Sequence, residues 1–176
     1  MLTAIFSLFV AGLVYFFPLA QTEQIVDFQP ERDTVPIVKL FDDNWYWLIA
    51  DATKDEYSPE FMLKNRSVDK KPENFGKLTI KVLRERDKFA GFVAYYKKSF
   101  YRGFLQFVGV DSAFRGKGYG EKLTRFAVND LFSQGVGVVE LLTRTDNIKA
   151  RSLYKKIGFK EVWVDGGFVF YSIRRR

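Results

Sequence analysis

The stretch "VGVDSAFRGKGYGEKL", Val108 to Leu123, sets three alternating glycines, Gly116, Gly118 and Gly120, between an apolar run and a helical pattern. That junction leaves few ways to fold. A strand must end, the chain must turn tightly with positive φ available, and a helix must begin at about Tyr119. A helix start presents unpaired N–H groups and roughly half a positive charge. Glycines let a ligand come close to such backbone. Two phosphate loops fail on spacing: no Ser or Thr stands where a P-loop needs one, and Glu121 occupies the last glycine position of the dinucleotide fingerprint. What remains is a plain strand-to-helix connection or a backbone grip on an anion, assisted by Arg115 and Lys117.

The flanking sequence predicts the surrounding elements. "EQIVDFQPERD" reads as a short strand ending in a turn at Pro30, and "TVPIVKLFDDNWYWLIA" as a helical stretch. "SPEFMLKNR" starts a helix with Ser58 as N-cap and Pro59 at the first position. "KLTIKVLRER", "KFAGFVAYYKK" and "FLQFVGV" are three strands. The helix after the glycines stops near Gly135, and "VGVVELLTRT" is a β-rich run. "IKARSLYKKIG" is a helix closed by Gly158, and a final hairpin turns at Gly166-Gly167. The order β-α-α-β-β-β-α-β-α-β-β, with no internal repeat or linker, is that of one mixed α/β domain over residues 21–176. At 176 residues, 47% of them apolar, the chain is long enough for one such core.

Residues Met1–Ala20 carry no charged side chain. The run is long enough to cross hydrocarbon as a helix and ends in a small residue suited to cleavage. It is expected to be a signal peptide or membrane anchor, giving an exported or membrane-attached protein; a cytoplasmic protein with a mis-assigned start is the alternative. Histidine and cysteine are both absent. That excludes Cys/His zinc sites, thiol nucleophiles and Ser-His-Asp triads, and no metal site is expected. The net charge of +7 suits an anionic partner. The closing Arg174-Arg175-Arg176 reads as an RNA- or lipid-binding tail or a solvated one. Aromatic and basic residues show no joint patterning of the kind that nucleic-acid binding uses, so no nucleic acid is expected.

Arg115-Gly116-Lys117-Gly118-Tyr119-Gly120 resembles the Arg/Gln-x-x-Gly-x-Gly/Ala motif of the GNAT superfamily of N-acetyltransferases. "TDNIKARSLYKKIGF" is similar to that family's second signature, with Asn147, Tyr154, Gly158 and Phe159 at the matching places. The close resemblance covers about Phe104 to Val162. It implies a central mixed, twisted sheet of six to seven strands with helices on both faces. It also implies an acetyl-coenzyme A site in a cleft where "FLQFVGV" and "VGVVELL" run parallel and splay apart. The cofactor arm would pair with backbone at Val108, Gly109 and Val110. The pyrophosphate would rest on the N–H groups of Arg115, Gly116, Lys117, Gly118, Tyr119 and Gly120.

Asn147 reads either as a helix cap or as a hydrogen-bond partner of the cofactor arm. Tyr154 lies on the apolar face of its helix, as a core tyrosine would. The resemblance instead implies a general acid that protonates the departing thiolate, a task for which a phenol keeps its proton at neutral pH. The general base is unassigned. Gln106 stands where some relatives carry glutamate, Leu142 where acidic residues are frequent, and Glu140 reads as cleft-facing or as paired. The resemblance implies that the acceptor is a primary amine on a small molecule, peptide or protein. Its recognition is expected from residues 34–65 and the last hairpin, with Trp45, Tyr46 and Trp47 either walling the site or packing under the sheet. The acids Asp42, Asp43, Asp51, Asp55 and Glu56 would suit a cationic amine. A non-catalytic acyl-coenzyme A-binding domain is the alternative to an enzyme.

Overall fold

In the computed structural model the described residues are 6–10, 13–17, 23–49, 56–67 and 77–175. Within the apolar leader, β1 (Phe6–Val10) and β2 (Leu13–Phe17) pair antiparallel as a two-stranded sheet. These two stretches are extended. Their Phe, Val and Leu content favours a pleated backbone. The rest of Met1–Ala20, and with it the signal or anchor expectation, lies outside the described residues. Among the described residues no helix is long and apolar enough to cross a membrane.

The main sheet has seven strands. β3 (Glu23–Asp27) is followed by α1 (Pro30–Asp43), α2 (Trp45–Leu48) and α3 (Pro59–Asn65). Then come β4 (Thr79–Glu85), β5 (Lys88–Lys97) and β6 (Arg102–Val110). After the glycine turn, α4 (Tyr119–Ser133) leads to β7 (Val138–Arg144), α5 (Ile148–Ile157), β8 (Lys160–Asp165) and β9 (Phe168–Arg174). The spatial order is β3-β4-β5-β6-β7-β9-β8, antiparallel except for β6 and β7. This is the mixed sheet expected from the sequence.

Two sequence boundaries move. Pro30, read as a turn, is the first residue of α1, where its missing N–H costs nothing. Asp33 in the first turn accepts a bond from Gln29 N–H at 2.8 Å, which helps to fix that start. The single helix expected over "TVPIVKLFDDNWYWLIA" is broken at Asn44 into α1 and the one-turn α2, because the backbone there leaves helical geometry at φ −134°.

Each face of the sheet has its own core. α4 and α5 cover one face through Leu123, Ala127, Leu131, Tyr154 and Ile157, packed on Val93, Val139 and Leu141. α1 and α3 cover the other through Ile37, Leu40, Phe41, Met62 and Leu63, packed on Val82, Phe92 and Phe107. A fully buried ion pair, Asp33 to Arg84 at 2.6 Å, pins α1 to β4.

A bulge in β6 decides which side chains meet which core. Ala94 pairs with Phe107 and Tyr95 with Leu105, so Gln106 is the extra residue. Leu105 packs under α4 and Phe107 under α1, although two residues apart they would otherwise share a face. Bulges of this kind re-aim side chains beside functional sites.

Candidate active site

The parallel pair β6 and β7 is joined over only three register positions, Arg102–Val138, Gly103–Val139 and Phe104–Glu140. Beyond them the strands separate. Leu105 to Val110 therefore presents a strand edge to a wedge-shaped cleft, while its other edge stays paired with β5. This is the splay expected from the sequence, between the two strands named there.

Two connected cavities occupy the wedge. An inner one of about 330 Å³ is lined by Trp47, Tyr57, Gln106, Leu142, Thr143 and Tyr154, among others. An outer one of about 520 Å³ runs past Val108, Gly109 and Val110 to Arg115 and Gly120. Trp47, Leu48, Val108, Asn147, Ala150 and Tyr154 border both, so these are two chambers of one cleft.

The glycine turn stands at the outer end. Gly116 and Gly118 both have φ +81°, and Gly118 is the N-cap of α4. A side chain at either would meet nothing within 4 Å, so backbone conformation alone demands glycine there. Gly120 is different: a Cβ would lie 3.4 Å from Leu153, and its role is the close approach of α4 to α5. Tyr119 buries its ring in the core under α4 and offers only its backbone to the turn.

The two cations of the turn already have protein partners. Lys117 bonds Glu85 at 2.7 Å. Arg115 donates to Val110 O at 3.2 Å and to Asn44 Oδ1 at 2.8 Å, tying the glycine turn to the α1–α2 junction. Of the turn, Arg115 and Gly120 line the outer chamber, and the N–H groups at the start of α4 have no intrahelical partner.

Asn147 caps α5, accepting from Ala150 N–H at 3.2 Å, and also borders both chambers. Its two sequence readings are thus compatible. Tyr154 is 8% exposed, with its ring about 6 Å from those of Phe159 and Tyr171. Burial, and to a lesser degree the nearby Tyr171, pushes its phenol up to about 12. It is at once a core residue and a wall of the cleft, and at neutral pH it holds its proton.

Glu140 does not reach the cleft. Arg102 at 2.6 Å and Lys98 at 3.8 Å engage it, which is the paired reading. Gln106 and Leu142 both line the inner chamber, so the positions examined for a base are in place but carry no carboxylate. None of the described lining residues of that chamber is acidic. Asp42 and Asp43 lie along a shallow outer surface of α1, and Asp51 and Asp55 fall outside the described residues.

Of the three aromatic residues of α2, Trp47 borders both chambers while Trp45 packs into the core under α1. Tyr46 ties the roof down: its hydroxyl donates to Asp146 at 2.7 Å, and Arg144 stacks over its ring at 4.1 Å. Arg144 also bonds the carbonyl of Tyr46 at 2.7 Å. Sequence reasoning missed Arg144 and Asp146, although both sit in the "TRTDN" that leads into the second signature. It also missed Tyr57, whose hydroxyl is buried without a hydrogen-bond partner.

The parallel pair thus splays beside a glycine-built helix start, and a buried tyrosine borders both chambers of the cleft. The chain belongs to the acetyltransferase (GNAT) family, whose model matches residues 37–159. It is 46% identical over 55 residues to the N-alpha-acetyltransferase RimI of Mycobacterium tuberculosis, covering 31% of this chain and 33% of that one. It is 40% identical over 63 residues to a mycothiol acetyltransferase of Nocardia farcinica, covering 36% and 21%. The aligned part thus spans a third or less of these relatives. In fold it is similar to the PaiA N-acetyltransferase of Thermoplasma acidophilum, solved in complex with coenzyme A. There the TM-score is 0.71 at 18% identity, covering 88% of this chain and all of that one.

Proposed function

We propose that the protein is an acetyl-coenzyme A-dependent N-acetyltransferase that acts on an α-amino group by direct attack in a ternary complex. The observation that carries this reading is Tyr154, set between the bare edge of β6 and the glycine turn and bordering both chambers. Acetyl-coenzyme A supplies the activated acyl carbon. Backbone from Val108 to Val110 holds its arm, and the N–H groups from Arg115 to Gly120 hold its pyrophosphate. The amine nitrogen bonds to the acyl carbon and gives up a proton to water. The carbon–sulfur bond breaks, and Tyr154 protonates the sulfur that takes the electron pair and regains its own proton from solvent. A thiolate expelled into the same desolvated chamber is raised in pKa as the phenol is, so the transfer is not opposed by burial alone.

The choice of an α-amine rests on the lining of the inner chamber. With no carboxylate among its described residues to take the amine's proton, an acceptor already neutral is favoured. At pH 7 about one α-amine in seven is neutral, against fewer than about one lysine side chain in a thousand. The likeness to a relative named as an N-alpha-acetyltransferase supports the same choice. Free thiol release and product mass are to be followed with two peptides, one with a free N-terminus and no lysine, the other N-terminally blocked and carrying lysine. The first is expected to react at least tenfold faster. Preference for the blocked peptide overturns the α-amine assignment. No release with either, despite measurable coenzyme A binding, favours the second reading, a non-catalytic acyl-coenzyme A-binding domain, to which the missing carboxylate also points.

A further inference from the structure

The sheet's two ends differ in charge. At the end away from the cleft, β5 stops, β6 and β7 start, β9 stops and β8 starts. That topology gathers six basic residues from distant parts of the chain: Lys97, Lys98, Arg102, Lys160, Arg174 and Arg175. The acids near them are engaged: Glu161, beside Lys160, pairs with Arg151 and Lys155, and Asp27, where β3 stops, pairs with Lys81. Glu140 holds Arg102 and Lys98, and Asp130 accepts from Tyr95 and Gln134.

At the tip of this end is the β5–β6 hairpin, and it is aromatic. Phe100 is 87% exposed, more than any other large apolar side chain among the described residues. Tyr101 beside it is half exposed and held rigidly. Its ring lies against Gly137, where a Cβ would come within about 2.1 Å, and its carbonyl accepts the Gly137 N–H at 2.9 Å. Gly137 in turn accepts from Arg175 N–H at 2.9 Å, so the tip and the C-terminal arginines form one continuous surface. That surface runs on into a groove of about 730 Å³. Its lining includes Arg125, Lys160, Arg174 and Arg175 with the apolar Phe132 and Ile157, and no acid.

We propose that this end of the sheet docks on an anionic phospholipid bilayer, with Phe100 entering the interface and the surrounding cations meeting the headgroups. An exposed aromatic ring ringed by Lys and Arg suits a layer that is apolar within and negative at its surface. The charge carries the attraction and the ring supplies the depth. β6 runs about 26 Å from Arg102 to Val110, so docking leaves the cleft facing away from the membrane and free to work.

The test is co-sedimentation of the full-length protein with phosphatidylcholine vesicles containing a minor fraction of phosphatidylglycerol. Binding is expected to fall steeply with added salt and to be absent on phosphatidylcholine alone. Reversing Lys97→Glu and Lys98→Glu together should weaken it at least twentyfold, at roughly fivefold or more per cation. Phe100→Ser alone should weaken it roughly tenfold. Coenzyme A binding, unchanged in both variants, reports that they are folded. Equal binding to neutral vesicles overturns the proposal. So does binding indifferent to all three substitutions, as attachment through the apolar Met1–Ala20 would give. A protein that ignores vesicles and instead retains single-stranded RNA through the same residues overturns it as well.

Discussion

Along one side of the outer chamber runs a single stretch of chain, Val108 to Gly120, and what that stretch offers is mainly backbone. The inner chamber takes side chains from six separated places, from Trp47 and Tyr57 through Gln106 and Leu142 to Tyr154 and Phe168. The two differ in what they tolerate. A site made of N–H groups depends on φ and ψ and is nearly indifferent to the side chains around it. A site made of side chains depends on each atom that projects into it. Substitutions should therefore separate cleanly into those that alter cofactor binding and those that alter turnover or acceptor use.

The sharpest separation is expected at Tyr154. Tyr154→Phe keeps the packing and removes the proton donor, and should lower kcat by roughly 10²–10⁴-fold with coenzyme A affinity within twofold. Because burial pushes this phenol up to about 12, it stays protonated as pH rises through 10, and the wild-type rate should show no falling limb from it there. A tyrosine variant that weakens coenzyme A binding and leaves kcat alone would break the division between the chambers.

Next comes Gly118. The space around it is open, so a side chain there meets no clash and only its φ of +81° matters. Gly118→Val should weaken coenzyme A binding roughly thirtyfold, because a β-branched residue is strained in the left-handed region, whereas Gly118→Asn should stay within about threefold. Calorimetric titration of the two variants reads the difference. If both behave alike, the turn is not acting through its backbone conformation. The smallest effect belongs to Lys117. Its ammonium is already bonded to Glu85, so Lys117→Ala should change coenzyme A affinity by no more than about twofold. A tenfold loss would shift weight from backbone to charge.

The same contrast explains what could be read from the chain. Gly116 and Gly118 advertise the turn at the outer chamber because backbone geometry restricts residue choice there, and Gly120 because α5 comes close. Asn147 and Tyr154 were legible because cap and wall lie on one helix at fixed spacing. The mixed sheet and the splay of its parallel pair followed from the family resemblance that the same segment carries. The roof did not: Tyr46–Asp146 and Arg115–Asn44 join residues 100 and 71 positions apart, and no local pattern records such a tie. The start of α1 was misplaced because Pro30 suits both a turn and a first helical turn. Only the long-range pairing of Asp33 with Arg84 and the packing of Ile37 and Phe41 decide for the helix. Tyr57 gave no local signal at all.

The opening of β6 from β7 has one more consequence. An unpaired strand edge is normally a hazard, since it invites a strand from another chain and so seeds aggregation. Here the bare stretch from Leu105 to Val110 belongs to a central strand and lies within the wedge, so another chain would have to enter the cleft to pair with it. A slender chain bearing amide groups but no side branches can still enter. A wedge that keeps this edge away from the sheet's rim therefore also shields the protein from its own kind, and the protein without ligand should be the form most prone to self-association when heating widens the wedge.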